Sequence, residues 1–432
     1  MIIVEPAFMH LPPGRDAVIL PTSPRHPARS LSHADQQLFR DRNFQLFFGG
    51  RLFANFARQI VAVAVGWQVY EITGDPLHLG MVGLVQFVPS LLLMLHGGST
   101  ADRHDRKRIV QICQWIEGGT AAWLAWRSYG GAISVFDIYV ASAIFGAASA
   151  YERPATGAML PNLVPLSILQ PAIALSTGAW QLATITGPAI GGFIFAISPG
   201  ACYASIAVFW LLGGLFNGAL PSLPREAAPP STLREQLAGV HFIRGNPTIL
   251  GTISLDLVAV LLAGATALLP VYAKDILHTD AVGLGLLRSA PAAGALITTI
   301  ILARRPFERR VGMRMFQAVI VFGLATVVFG VSTSLWLSLV ALAVMGSADQ
   351  ISVVIRNMLV QVATPDDMRG RVGAVNYLFI SASNQLGEFR AGVMAAWIGA
   401  LPAVVIGGVG SVLIAMLWMK IFPTLRDVEK LS

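Results

Sequence analysis

From Phe44 onward, apolar runs of about 20 residues recur along the chain, separated by short polar breaks. No other feature limits the fold as strongly. A helix of that length spans the roughly 30 Å hydrocarbon core of a bilayer. It also satisfies its own N–H and C=O groups where water cannot reach them. Twelve runs are read, at 44–73, 78–101, 109–127, 133–155, 168–196, 200–220, 249–273, 281–303, 313–331, 334–362, 371–396 and 400–422. The expected fold class is an all-α membrane protein with twelve transmembrane helices. Composition agrees, with 55% hydrophobic and 12% charged residues among 432, against a charged share of about 25% in soluble domains.

Charge between the runs sets the expected orientation. The stretch 97–108 reads GGSTADRHDRKR, a knot of ionic groups too costly to leave in hydrocarbon, so it is a loop at a membrane surface. Its four cations, with Arg153, Arg225, Arg234, Arg244, Arg304, Arg305, Arg314, Arg369 and Arg371, fall on one side, whereas the opposite loops hold Arg127 and Lys274. Positive charge collects on the cytoplasmic side, so both termini are expected there. The net charge of +7 is therefore topology, and no nucleic-acid partner is expected. Cys113 and Cys202 lie in separate runs, so neither a disulfide nor a metal site is expected.

The chain repeats at an offset of 202 residues: Val69-Tyr70 with Val271-Tyr272, Gly83 with Gly285, Pro89 with Pro291, Arg103 with Arg305, and Lys107-Arg108 with Arg309-Arg310. Two pseudo-symmetric six-helix bundles follow. The expected division is a disordered cytoplasmic tail 1–43, a first bundle 44–220, a cytoplasmic linker 221–248, a second bundle 249–422 and a tail 423–432. Within the linker, Thr232 and Glu235 form a capping-box pattern that opens an amphipathic helix, and Gly245-Asn246-Pro247 ends it.

The stretch 98–107, GSTADRHDRK, resembles the loop signature of the major facilitator superfamily, G-x-L-A-D-R-x-G-R-K, with Thr100 in place of the leucine and Asp105 in place of the second glycine. The resemblance covers the chain after residue 43. A narrower one is carried by 67–73 (WQVYEIT), Arg153-Pro154, 364–372 (TPDDMRGRV) and 383–389 (SNQLGEF), which together look like the enterobactin exporter-like, or transmembrane secretion effector, branch. That branch is associated with export of siderophores and other small molecules from bacteria.

The resemblance implies a conformational latch at Gly98, Asp102, Arg103, Arg106, Lys107 and Glu152. Asp102 is expected to cap the eleventh helix, whose N-terminal dipole favours an anion, and Glu152 to pair with Arg103 or Arg106. Arg304 stands at the equivalent of Asp102 in the second half, so the latch is one-sided. Gly187, Pro188, Gly191 and Gly192 match the superfamily's exporter-type G-P-x-x-G-G motif; read physically, they are also a small-residue packing seam.

Ionisable groups within spans are costly and so mark transport chemistry. Arg51 and Arg58 are seven residues apart, as are Asp349 and Arg356, so each pair shares a helix face. The superfamily's first, fourth, seventh and tenth helices line its central cavity, and Asp256 falls on the seventh. Asp256 and Asp349 are the expected proton carriers, with Glu388 third and Arg58 the cation that modulates them. A structural Asp349–Arg356 ion pair is the alternative.

The expectation is a monomeric secondary transporter of the bacterial inner membrane that exports a small molecule against proton entry and needs no cofactor. Its partners are the substrate, protons and the lipid bilayer. A proton-coupled uptake symporter is the near alternative. A membrane receptor and an integral-membrane enzyme are the distant ones, the enzyme disfavoured because no H-E-x-x-H, G-x-S-x-G or Walker pattern occurs.

Overall fold

The computed structural model describes residues 41–222, 233–305, 310–365 and 368–429. Residues 1–40, most of the expected N-terminal tail, lie outside these, as do Thr232 of the expected capping box and Arg309 of the repeat.

Among the described residues twelve long helices carry the fold: α1 Arg42–Thr73, α2 Pro76–Arg103, α3 Arg106–Tyr129, α4 Val135–Gly157, α5 Leu166–Ile197, α6 Pro199–Gly218, α7 Pro247–Ala263, α8 Ala281–Arg304, α9 Val311–Val331, α10 Leu335–Ala363, α11 Arg369–Ile398 and α12 Ala400–Ile421. A linker helix, Leu233–Gly245, joins α6 to α7.

Local chemistry sets the helix ends. The Asp41 carboxylate accepts from the N–H groups of Asn43 (2.8 Å) and Phe44 (3.0 Å), opening α1. Gly74, at φ 63°, closes it in the left-handed region that glycine favours, and Asp75 and Pro76 start α2 at once. Asn246 accepts from the N–H groups of Thr248 and Ile249, so the linker helix stops and α7 begins where the Gly-Asn-Pro signal lies.

One expected span is broken. The run 249–273 does not continue as one helix: α7 ends at Gly264, and a 3₁₀ turn, a short α segment and a π turn carry the chain on to Ile276. The cause is tertiary. Gly264, at φ 50°, packs so closely on α11 that a Cβ there would sit 2.5 Å from the Gly387 carbonyl oxygen.

Among the described residues nine helices are long and apolar enough to cross a membrane. The three that fall short are α3, α4 and α11. α3 carries Gln114 and Glu117, both buried, so the polar content that lowers its hydropathy belongs to a protein interior rather than to lipid; α11 carries Asn384, which is exposed, and Gln385, Glu388 and Arg390, which are half-buried.

The helices pair in a pattern that repeats. In the first half α3 packs on α6, α2 on α4, α1 on α6 and on α5, and α3 on α4. In the second half the partners are α9 with α12, α8 with α10, α7 with α12 and with α11, and α9 with α10, the same list advanced by six. Two pseudo-symmetric six-helix bundles result, and they meet mainly through α2 with α11 and α5 with α8. The face that holds the α2–α3 loop is called the basic face below, and the opposite one the far face.

Candidate functional site

On the far face the bundles are closed. Gly80 of α2 lies against Phe389 and Gly392 of α11, Gly192 of α5 against Ala281 of α8, and Gly66 of α1 against Pro270. The Tyr70 hydroxyl donates to the Asp275 carboxylate, and the Lys274 ammonium stands 5.7 Å from the Tyr70 ring centre.

Toward the basic face the same bundles part around a cavity of about 1200 Å³. Its wall comes from the basic-side ends of the helices: Phe47, Arg51, Asn55 and Arg58 of α1; Met94, Gly98 and Asp102 of α2; Glu152 and Arg153 of α4; Arg371, Val375 and Tyr377 of α11. Val110 and Gln114 of α3, Trp180 of α5, Asn217 of α6 and Val240 of the linker helix also line it. Closed on one face and open on the other, the space between the bundles is a wedge.

Inside the wedge runs a polar chain. Arg58 forms an ion pair with Glu152, whose other oxygen accepts from Gln114 Nε2 at 2.9 Å. Gln114 Oε1 in turn accepts from Asn217 Nδ2 at 3.0 Å. Four helices of the first bundle are thereby tied together, and the Arg58 side chain remains 32% exposed to the cavity. Arg51 and Arg58 both line the cavity, as their seven-residue spacing requires. At the mouth, Arg153 donates to the Tyr377 hydroxyl and stands 5.8 Å from its ring centre, a contact that crosses from α4 to α11.

The second bundle holds a matching pair with the signs exchanged: Asp256 on α7 with Arg356 on α10, side chains 8% and 4% exposed. Neither lines the cavity. Asp256 is thus held by a guanidinium in the bundle interior rather than facing an aqueous path. Arg356 pairs with Asp256, not with Asp349, because the crossing of α7 and α10 decides the partner. Asp349 is half-buried on α10, outside the cavity wall. Glu388 lies toward the far face beside Gly83 of α2, within electrostatic reach of Arg288 on α8.

The loop signature is also placed differently. Asp102 is exposed and lines the cavity, while α11 begins without a side-chain cap, because the wedge separates the two on this face. Glu152 is turned inward to Arg58. Arg106 donates to the carbonyls of Ala101 (3.2 Å) and Ala158 (3.1 Å), and Lys107 to that of Leu220, so these cations bind the loop to α4 and α6 of its own bundle. Gly187 and Gly191 pack on Gln59 and Ile60 of α1, whereas Pro188 and Gly192 meet Gly285 and Ala281 of α8.

Sequence reasoning missed Gln114, Glu117, Asn217, Arg288 and Tyr377. Glu117 and Arg288 satisfy the rule that singled out Asp256, an ionisable residue inside an apolar run. Arg153 was legible as part of its Arg-Pro motif, though not as a gate contact.

Two bundles enclosing a charged cavity between them define a membrane transporter of the major facilitator type, and the chain is a multi-pass membrane protein. It belongs to the transmembrane secretion effector family, whose profile matches residues 36–431. The enterobactin exporter EntS of Citrobacter koseri is 24% identical over 389 residues, which is 89% of this chain and 92% of that protein. Among solved structures, a bacterial homologue of the human lysosomal transporter Spinster, inward-facing and unoccupied, superposes with a TM-score of 0.70 at 12% identity, over 90% of this chain and 98% of that one. An inward-facing bacterial homologue of the iron transporter ferroportin gives 0.67 at 17%, over 89% and 99%.

Proposed function

We propose that this protein exports a small organic molecule across the bacterial inner membrane in exchange for protons, by alternating access, and that the wedge is its cytoplasm-open state. The observation that carries the reading is the asymmetry of closure, sealed at Tyr70–Asp275 and the α5–α8 seam yet open around Arg58. The basic face is then cytoplasmic, with both termini on it. The moving bodies are residues 44–220 and 249–422, with 221–248 as the linker and 423–432 as a short tail, and the chain works as a monomer.

The cavity exceeds the roughly 300–1,000 Å³ of drug-sized pockets, so a cargo of siderophore size fits with water around it. Arg51, Arg58, Arg153 and Arg371 outnumber Asp102 and Glu152 on its wall, which favours a cargo with acidic or oxygen-rich groups. The relatives named for enterobactin export support a cargo of that kind. In the alternate state the bundles close on the basic face, and there Asp102 would meet the N-terminus of α11 and complete the latch.

The test uses inside-out vesicles with enterobactin as probe. Uptake should rise when the vesicle lumen is acidified and fall when the pH gradient is collapsed. Uptake that ignores the collapsed gradient ends the proton-coupled reading.

A further inference from the structure

Gln114 and Glu117 are three residues apart on α3 and so share one face. Gln114 reaches Glu152 across the α3–α4 crossing, and Glu117 comes within electrostatic reach of the same carboxylate and of Arg58. Glu117 is 1% exposed, and its Oε2 has no hydrogen-bond partner, although buried polar atoms are nearly always paired. Glu152 is 4% exposed and bound to Arg58. Two buried carboxyl groups thus share one directly paired guanidinium.

The other cations nearby form no ion pair with either acid among the described residues. Arg153 of α4 is within electrostatic reach of Glu117, but it is exposed at the cavity mouth, where water screens it, and is bonded to Tyr377 of α11. Arg51 of α1 is within electrostatic reach of Glu152 and lines the water-filled cavity. Cys113 on α3 and the buried Cys202 and Tyr203 of α6 supply no cation. An unpaired buried carboxylate is costly in a low dielectric, and a proton removes the cost. The Asp256–Arg356 pair, by contrast, has one acid and one guanidinium, so its charge closes without a proton.

We propose that Glu117 and Glu152 together hold one exchangeable proton, that Arg58 neutralises the charge that remains, and that this pair is the proton-binding site of the transport cycle. Only O–H bonds form and break: a proton from the far-side solution is taken up by a carboxylate oxygen in the far-open state and returned to cavity water in the state open to the basic face. Its place in the cycle rests on the proton-coupled reading above, while the shared proton does not.

The cargo-independent test is infrared difference spectroscopy of the purified full chain in detergent across a pH titration. The wild type should show the C=O band of a buried protonated carboxyl, and Glu117→Gln should lose it. Glu152→Gln should lose it as well, because Glu117 then ionises against Arg58. Absence of the band in the wild type, or its persistence in either variant, overturns the proposal. In inside-out vesicles with enterobactin, Glu117→Gln should reduce the ratio of uptake with and without a pH gradient to unity; retained stimulation also overturns it. A wild type that shows the band yet ignores the gradient would sink the coupled-export reading and remove the pair from the cycle, while leaving the shared proton standing.

Discussion

Replacing Arg356 by Met alone is expected to destabilise the folded protein by about 3–5 kcal/mol, because it strands the Asp256 carboxylate in the interior of the second bundle. Both residues of the pair are under 10% exposed, at 3% and 6%, and they join α7 to α10. The double replacement Asp256→Leu with Arg356→Met should recover most of the loss, since a buried pair exchanged for packed apolar groups is often near neutral. Unfolding by sodium dodecyl sulfate in mixed micelles measures both, and a double variant no more stable than the single one would show that charge pairing is not the cause. Arg58→Met should cost less than Arg356→Met, because the Glu152 carboxyl it leaves behind, though only 4% exposed, borders the cavity and can take a proton from its water. A loss of this size at Arg356 with a smaller one at Arg58 would mark the pair in the second bundle as structural and leave the one in the first able to change partners during transport.

Which charges pair with which is the part of the site that the sequence did not disclose. Helix positions were legible because each span must be long and apolar for one physical reason, and the Gly74-Asp75-Pro76 and Gly245-Asn246-Pro247 breaks act locally through caps and missing donors. Spacing also told which residues share a face, as with Arg51 and Arg58. It did not tell who faces them. Glu152 follows the loop signature in the resemblance but turns to Arg58, and Arg356 passes over Asp349 on its own helix for Asp256 on α7. Partners in a bundle are fixed by where helices cross, and that depends on all the side chains between them. The break at Gly264 has the same origin, since its conformation is dictated by the approach of α11. The separation of Asp102 from α11 has another: a contact between mobile bundles exists in some conformations and not in others, whatever the residues.

The far-face closure yields the second large effect. Gly192→Leu is expected to shift the conformational equilibrium away from the state with a sealed far face by roughly 5–150-fold. A Cβ on Gly192 would run into the Ala281 carbonyl and lie 3.2 Å from Val282 Cα, both backbone atoms of α8 that cannot step aside. Overpacking of this kind costs about 1–3 kcal/mol, and the cost is felt only while α5 and α8 touch, so it falls on one conformation and becomes a population shift. Spin labels on Glu71→Cys and His278→Cys, both exposed near the far face, should report a longer distance in the variant. Gly178→Leu is the control: it lies on the same helix with nothing within 4 Å of its Cβ position, so the distances should not move. Gly392→Leu acts at the separate α2–α11 seam, where a Cβ would come 2.7 Å from Gly80 Cα. With no side chain shared between the seams, the two shifts should multiply in the double variant. Distances unchanged in both single variants would mean that these glycine seams are not what holds the far face shut.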